Sequence, residues 1–315
     1  MNQSVAEKIQ KLVDNIEQVI FGKREVVKLC VTGLLARGHI LIEDIPGIGK
    51  TTLAQGLARS IHCTFNRIQF TSDMLPSDIL GVSVLNLKTS EFEFRAGPIF
   101  ANVVLADEIN RTPPKTQSAL LEAMSEFQVS VDGLTRPVPR PFLVLATQNP
   151  IEYEGTYTLP ESQLDRFMLR VEMGYPPAED ELHIMRRRDP REAIENLKPV
   201  LTAPEVRELQ GCVGEVKVDE SVARYMLAII QGTRQNEHIQ LGASPRAAVG
   251  LYEACQARAL VEGRDYVTPG DVKTMSAPVL SHRLLVKSRG GDLVSAARER
   301  VRSVREVVKN VPVPV

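Results

Sequence analysis

"IEDIPGIGKTTLA", residues Ile42–Ala54, decides how the rest of the chain is read. It matches the phosphate-binding pattern G-x-x-x-x-G-K-[ST] at Gly49, Lys50 and Thr51, but Asp44 stands where the first glycine belongs. A phosphate cradle needs main-chain N–H groups converging on oxygens at the start of a helix, with no side chain in the way. Pro46, Gly47, Ile48, Gly49, Lys50, Thr51 and Thr52 supply that backbone, and Gly47 and Gly49 allow the close approach. Lys50 is expected to reach the terminal phosphates and the Thr51 hydroxyl to hold Mg²⁺. Asp44 lies where the chain leaves the strand, before the cradle. Aspartate tolerates unusual backbone angles and makes local turns, so its carboxylate should point away from the phosphates.

Two downstream runs complete the chemistry. "NVVLADEIN" is an apolar strand ending in Asp107-Glu108. Such a pair suits one carboxylate holding Mg²⁺, often through water, and a second taking a proton from an attacking water. "FLVLATQNP" ends in Asn149, whose amide is placed to orient that water. Each run alone also fits an ordinary strand end; with Lys50 and Thr51 they describe ATP hydrolysis.

Bulk properties set the surroundings. The 315 residues suggest about two domains. Charged residues make up 24%, and the apolar runs fall far short of the roughly 20 residues a membrane helix needs, so no membrane span is expected. The polar, amphipathic N-terminus has no apolar signal core, which implies a cytoplasmic address. With 38 basic against 39 acidic residues there is no general basic field, and nucleic acid is a disfavoured partner. Cys30, Cys63, Cys212 and Cys255 lack C-x-x-C spacing, and five scattered histidines offer no protein metal site.

From His39 to Tyr175 short apolar runs alternate with helical patterns, as in parallel-sheet proteins. Strands are expected at "HILIED", "TFNRIQF", "NVVLADE", "PFLVLATQN" and "RFMLRVEM", with helices from Lys50 to about Ile61 and from Pro114 to about Phe127. Period-two alternation in "VSVLNLKTSEFEFR" and in "FQVSVDGLTRPV", which turns at Asp132-Gly133, predicts two inserted hairpins. After "GYPPAEDE" helix caps take over: Thr202 with Glu205, Thr268 with Asp271, and Ser244 before Pro245. This divides the chain into an α/β core, 1–177, and an all-α lid, 178–315. The lid should end in a helix with Ala297, Val301, Val304 and Val308 on one face, then a frayed "VPVPV". "MRRRDPRE" reads as a solvated helix end or a docking patch.

"LIEDIPGIGKTTLA", "GPIFANVVLADEINRTPPKTQSALLEAM", "LATQNPIEYEGTYTLPESQLDRF" and "LGASPRA" together resemble the MoxR family of AAA+ ATPases, over almost the whole span from Gly22 to Val286. The family's loop commonly lacks the leading glycine, which makes Asp44 a family trait. The resemblance implies a P-loop AAA+ core with a five-stranded parallel sheet in which the Asn149 strand lies between those of Lys50 and Asp107. It also implies a helix-2 insert at about Gly81–Phe94 and a pre-sensor hairpin at about Phe127–Val138. Arg166 in "LDRF" corresponds to the arginine finger offered to a neighbour's γ-phosphate, and Arg246 in "GASPRA" to the sensor-2 arginine of the lid. Arg111 is a further candidate for contact between subunits. Pairing of Arg166 with Asp165 or a surface acid, and a merely helix-capping Arg246, stay open. The resemblance further implies ATP between core and lid near Gly22, a hexamer, a von Willebrand factor A domain partner, and chaperone-like maturation of client complexes. The motor subunit of a metal chelatase, a nucleotide-controlled scaffold with little turnover and a DNA translocase share much of this pattern.

Overall fold

The central strands form because they are uninterrupted apolar runs. Ile40–Glu43, Val103–Asp107 and Leu143–Gln148 are buried on both faces almost throughout, as interior strands of a parallel sheet must be. The structure is a computed structural model and describes residues 3–149, 156–186, 190–287 and 293–314. Pro150 and residues 151–155 of the family match, and Arg187, Arg188 and Asp189 of the basic run, lie outside these.

In chain order, helices α1 (Gln3–Glu17) and α2 (Arg24–Leu35) precede β1 (Ile40–Glu43), α3 (Lys50–Ser60), β2 (Phe65–Gln69) and α4 (Pro76–Leu80). The hairpin β3 (Gly81–Asn86) and β4 (Glu91–Ala96) leads into β5 (Val103–Asp107) and α5 (Pro114–Glu126). A second hairpin, β6 (Gln128–Val131) and β7 (Leu134–Pro137), precedes β8 (Leu143–Gln148), α6 (Glu161–Leu164) and β9 (Leu169–Val171). Then come α7 (Ala178–Arg186), α8 (Pro190–Glu195), α9 (Ala203–Cys212), α10 (Glu220–Gln235), β10 (Ile239–Leu241), α11 (Pro245–Val261), α12 (Pro269–Leu280), β11 (Leu285–Val286) and α13 (Leu293–Asn310).

The sheet is parallel in the order β2-β5-β8-β1-β9, so the Asn149 strand does lie between the Lys50 and Asp107 strands. Side chains alternate across it with the period of two that a strand imposes. Ile40, Ile42, Val103, Leu105, Leu143 and Leu145 join one core, while Leu41, Val104, Ala106, Val144 and Ala146 join another. The first core is closed by α1, α2, α3 and the C-terminal helices, the second mainly by α5.

Both hairpins form as expected. Asp132 and Gly133 take φ of 53° and 74° at the turn of the second, the left-handed pair that a two-residue hairpin turn favours. The hairpins also touch: the Arg136 guanidinium lies 4.0 Å over the Phe94 ring, and Phe94 meets Phe100 edge to face.

Among its described residues the helical segment departs from an all-α lid at an isolated Lys217–Tyr266 bridge and at a small ribbon. Ile239 and Leu241 pair antiparallel with Val286 and Leu285 in a small ribbon, too short to give a strand signal. The caps at Thr202, Ser244 and Thr268 are formed as predicted. Ala297 and Val304 are buried on α13, and Val311, expected to fray, still donates its N–H to the Val307 carbonyl and packs on the helical core. The N-terminal helices are more than a polar lead-in. Ile9, Leu12, Val13 and Ile16 recur at helical spacing and are fully or almost fully buried. Through α2 the core runs without a break into the lid helices, with Gln210 donating to the Leu34 carbonyl at 2.7 Å.

Candidate active site

Chain leaving β1 turns at once into the loop. Gly47 and Gly49 have φ of 84° and 92°, values that would strain any residue with a Cβ. Gly49 is the residue before the first turn of α3, and a Cβ on Gly47 would meet only open space. Pro46 and Gly47 are exposed, and Ile48 to Thr52 are half-buried.

Asp44 points away from the cradle. One carboxylate oxygen accepts from its neighbour Ile45 N–H at 2.8 Å, and the other from Met173 and Gly174 N–H at 2.7 and 2.6 Å. These last two amides sit just past β9, so the carboxylate ties the loop to the segment leading into α7. Its carbonyl meanwhile accepts from Lys50 Nζ at 2.8 Å. Burial draws the Lys50 ammonium below its ordinary value, opposed by the carboxylates of Asp107, Asp44 and Glu108.

The two acids are held by neighbours that spacing alone does not reveal. Thr147 Oγ, fully buried on β8, accepts from Glu108 N–H at 2.8 Å and donates to Asp107 Oδ1 at 2.6 Å. Glu108 has a φ of 58°, uncommon for a residue with a side chain and typical of functional turns. Its carboxylate accepts from Gln69 Nε2 at 2.7 Å and pairs with Arg111 at 3.1 Å. Arg67, on β2, donates to Asp107 Oδ2 through Nε and Nη2 at 3.1 and 2.5 Å. Arg111 thus serves here as a partner of Glu108 within one chain. Asn149 is almost fully buried and borders a small cavity with Glu43, Asn110 and Arg300 of α13.

Lys50, Thr51, Asp107, Glu108 and Asn149 therefore gather at the C-terminal ends of β1, β5 and β8, where open α/β sheets bind ligands. Arg166 and Arg246 do not join them. Arg166 lies before β9, at the other end of the sheet, where Met168 N–H reaches the His39 carbonyl. Among the described residues its Nη1 donates to the Leu121 carbonyl and Ser125 Oγ, both at 2.8 Å. Ser244 Oγ, capping α11, donates to Asp165 at 3.1 Å, and Arg283 Nε lies 3.3 Å from the same carboxylate. Exposed Arg246, two residues into α11, is thereby set at the Arg166 end. At roughly 3.3 Å per strand residue, the step from His39 to Asp44 separates that end from the loop by about 16 Å. Arg246 therefore stands away from the loop of its own chain.

Near Gly22 the start of α7 packs down: Lys23 Nζ donates to the Tyr175 carbonyl at 2.5 Å, and Phe21 stacks on His183 at 6.2 Å. Ile20 of the same segment approaches Gly49.

A hydroxyl at Thr51 and a carboxylate at Asp107 are hard oxygen donors, and Asp107 already attracts a cationic partner in Arg67. The residues fit Mg²⁺ shared with phosphates.

A glycine loop feeding a helix, an acidic pair one strand removed and a polar amide between them define a P-loop ATPase of the AAA+ class, and the chain's family matches agree. Residues 39–169 match the family described as ATPases associated with various cellular activities, and residues 231–304 match an AAA lid domain. The chain is 49% identical over 308 residues to the uncharacterized protein YeaC of Bacillus subtilis, covering 97% of this chain and 94% of that one. It is 42% identical over 289 residues to the chaperone MoxR1 of Mycobacterium tuberculosis, covering 88% and 76% respectively. The crystal structure of a candidate ATPase from Cytophaga hutchinsonii superposes with a TM-score of 0.83 at 36% identity, over 95% of both chains. The chain belongs to the MoxR family of AAA+ ATPases.

Proposed function

We propose that the protein hydrolyses ATP to ADP and phosphate at the boundary between neighbouring copies of itself, and spends the resulting motion on remodelling client protein complexes. The observation that carries this reading is the separation of two half-sites: the cradle and acids at one end of the sheet, Arg166 and Arg246 at the other. One chain holds a triphosphate with half the charges it needs; the next chain in a ring would bring the rest.

In this reading the N–H groups of residues 47–51 cradle the phosphates and Lys50 leaves the Asp44 carbonyl to meet them. Thr51 and Asp107 would hold Mg²⁺, which neutralises phosphate charge when bound. Asn149 orients the water and Glu108 takes its proton. Arg166 and Arg246 from the neighbouring copy stabilise the charge that builds on the γ-phosphate, a contribution of roughly 10³ to 10⁵ in rate for fingers of this kind. A cavity of about 460 Å³ lined by Gly22, Lys23, Val26 and Met173 supports an adenine site there, where the core (1–177) meets the lid (178–315). Loss of the γ-phosphate removes contacts present in only one state, which is what lets a neighbour move. The linked hairpins, with Leu87 86% and Phe92 74% exposed, are suited to pushing on an apolar client.

Family membership supports a chaperone-type role, and with it a hexamer, a von Willebrand factor A domain partner and a cytoplasmic setting. Among the described residues no helix is long and apolar enough to cross a membrane. The chelatase-motor reading predicts activity only beside a tetrapyrrole-binding partner, and the scaffold reading predicts normal cellular function from Glu108→Gln.

The test measures ATPase rate and assembly size for wild type, Lys50→Ala, Glu108→Gln and Arg166→Ala. Glu108→Gln should bind ATP yet hydrolyse it about 10² to 10⁴ times more slowly. Mixing Lys50→Ala with Arg166→Ala should restore part of the activity wherever an intact loop faces an intact finger. No recovery at any ratio, with assembly preserved, would exclude a shared site.

A further inference from the structure

The least expected contact in the site is the ion pair between Arg67 and Asp107. Parallel register sets Gln69 beside Asp107 and Arg67 two residues earlier, so both side chains leave β2 on the same face. Arg67 then reaches up the strand: its side chain is 47% exposed, while that of Asp107 is only 13% exposed. Each carboxylate oxygen has about two acceptor positions. Asp107 Oδ1 is taken by Thr147, and Oδ2 receives two N–H groups of the same guanidinium. Arg67 Nη2 also donates to Gln69 Oε1 at 2.8 Å, and the Gln69 amide in turn donates to Glu108. Arg67 and Thr51 border one open cavity of about 1240 Å³. The guanidinium therefore occupies the Asp107 oxygen that the Thr147 hydroxyl leaves open.

We propose that Arg67 stands in for the divalent cation on Asp107 when no nucleotide is bound, and that it must be displaced for the metal to enter. Because the same guanidinium fixes Gln69, and Gln69 donates to Glu108, loading of the metal and loosening of the Gln69 contact with Glu108 are one linked event, with Arg111 still paired to that carboxylate. Arg67 is a positioning residue in this scheme: it acts through Asp107 and Gln69, and it sets the Mg²⁺ concentration at which the site becomes competent.

The inference rests on the nucleotide site proposed above, and the experiment separates the two. Binding of a fluorescent N-methylanthraniloyl-ADP is measured in EDTA and across a Mg²⁺ titration, for wild type and Arg67→Gln. Removing a competing charge-assisted pair should lower the Mg²⁺ midpoint about tenfold, with the affinity in EDTA changed less than twofold. An unchanged or higher midpoint overturns the inference. A tenfold loss of affinity in EDTA also overturns it, since Arg67 would then be a phosphate ligand. Should Arg67→Gln fail to fold, Arg67→Lys, which keeps the charge but loses the fork, should lower the midpoint about threefold from that of wild type; an unchanged midpoint there overturns the inference. If wild type binds no nucleotide with or without Mg²⁺, the nucleotide site itself is refuted.

Discussion

Asp44 shows how one residue can break a consensus without breaking its purpose. In an ordinary loop of this kind the leading position is glycine because the backbone must turn there. Here the turn is made by an aspartate whose carboxylate collects three main-chain N–H groups, two of them from beyond β9. Hydrogen bonds to a charged acceptor are worth more than neutral ones, and orphaned amides carry a desolvation cost. Restoring the consensus with Asp44→Gly should therefore weaken the protein, by about 2 kcal/mol, without tightening nucleotide binding. Urea unfolding monitored by circular dichroism reads the first effect and nucleotide titration the second. Equal stability, or markedly tighter binding, would mean that the carboxylate serves neither the fold nor the loop.

Among the elements, the hairpin of β3 and β4 depends on a close backbone approach at its base. A Cβ on Gly97 would lie 2.2 Å from the Ile79 carbonyl oxygen and 2.5 Å from Gly81 N, both main-chain atoms that cannot swing aside. Gly97→Ala should push the hairpin off the core at a cost of about 1–3 kcal/mol, while the parallel sheet, whose contacts lie elsewhere, stays folded. Limited proteolysis should then cut within residues 81–96 long before the rest, and unchanged protection would refute the steric argument. The hairpin itself was legible because period-two alternation is local, as were the five strands and the lid caps. The β10–β11 ribbon was not, since three residues paired with two leave no pattern of their own. Helix α1 read as a polar, amphipathic lead-in because its buried stripe of Ile9, Leu12, Val13 and Ile16 is narrow. In the site, Lys50, Thr51, Asp107, Glu108 and Asn149 were legible from spacing. Arg67, Gln69 and Thr147 were not, because only strand register brings them to the acids, and the position of Arg246 depends on a lid contact, Ser244 to Asp165, between residues 79 positions apart.

Across the whole molecule, two buried histidines make folding sensitive to mild acid. His39 Nδ1 accepts from Val144 N–H at 3.0 Å, so the ring is neutral and its Nε2–H donates to the Met124 carbonyl at 2.9 Å. His282 Nε2 donates to the Phe167 carbonyl at 2.8 Å, joined there by Arg283. Together they fasten the end of the sheet that carries Arg166 to α5 on one side and to the lid on the other. Burial pulls His39 from 6.5 down to about 4, and burial with the nearby Arg283 holds His282 well below its usual value. Between those values the unfolded chain binds protons that the folded chain refuses, so stability rises with pH. The stabilisation is complete above about pH 6.5 and declines as pH falls toward 4; for His39 alone the full effect is about 3 kcal/mol. Carboxylates with ordinary values titrate mostly below pH 5, so from pH 7 to 5 the histidines lead, opposed by Glu253, which burial raises toward this window. Melting temperature should fall steadily across it, and His39→Gln should flatten part of the slope even if its melting temperature at pH 7 is lower. A wild-type melting temperature constant from pH 7 to 5, or a slope untouched by replacing both histidines, would show that these rings do not govern the acid response.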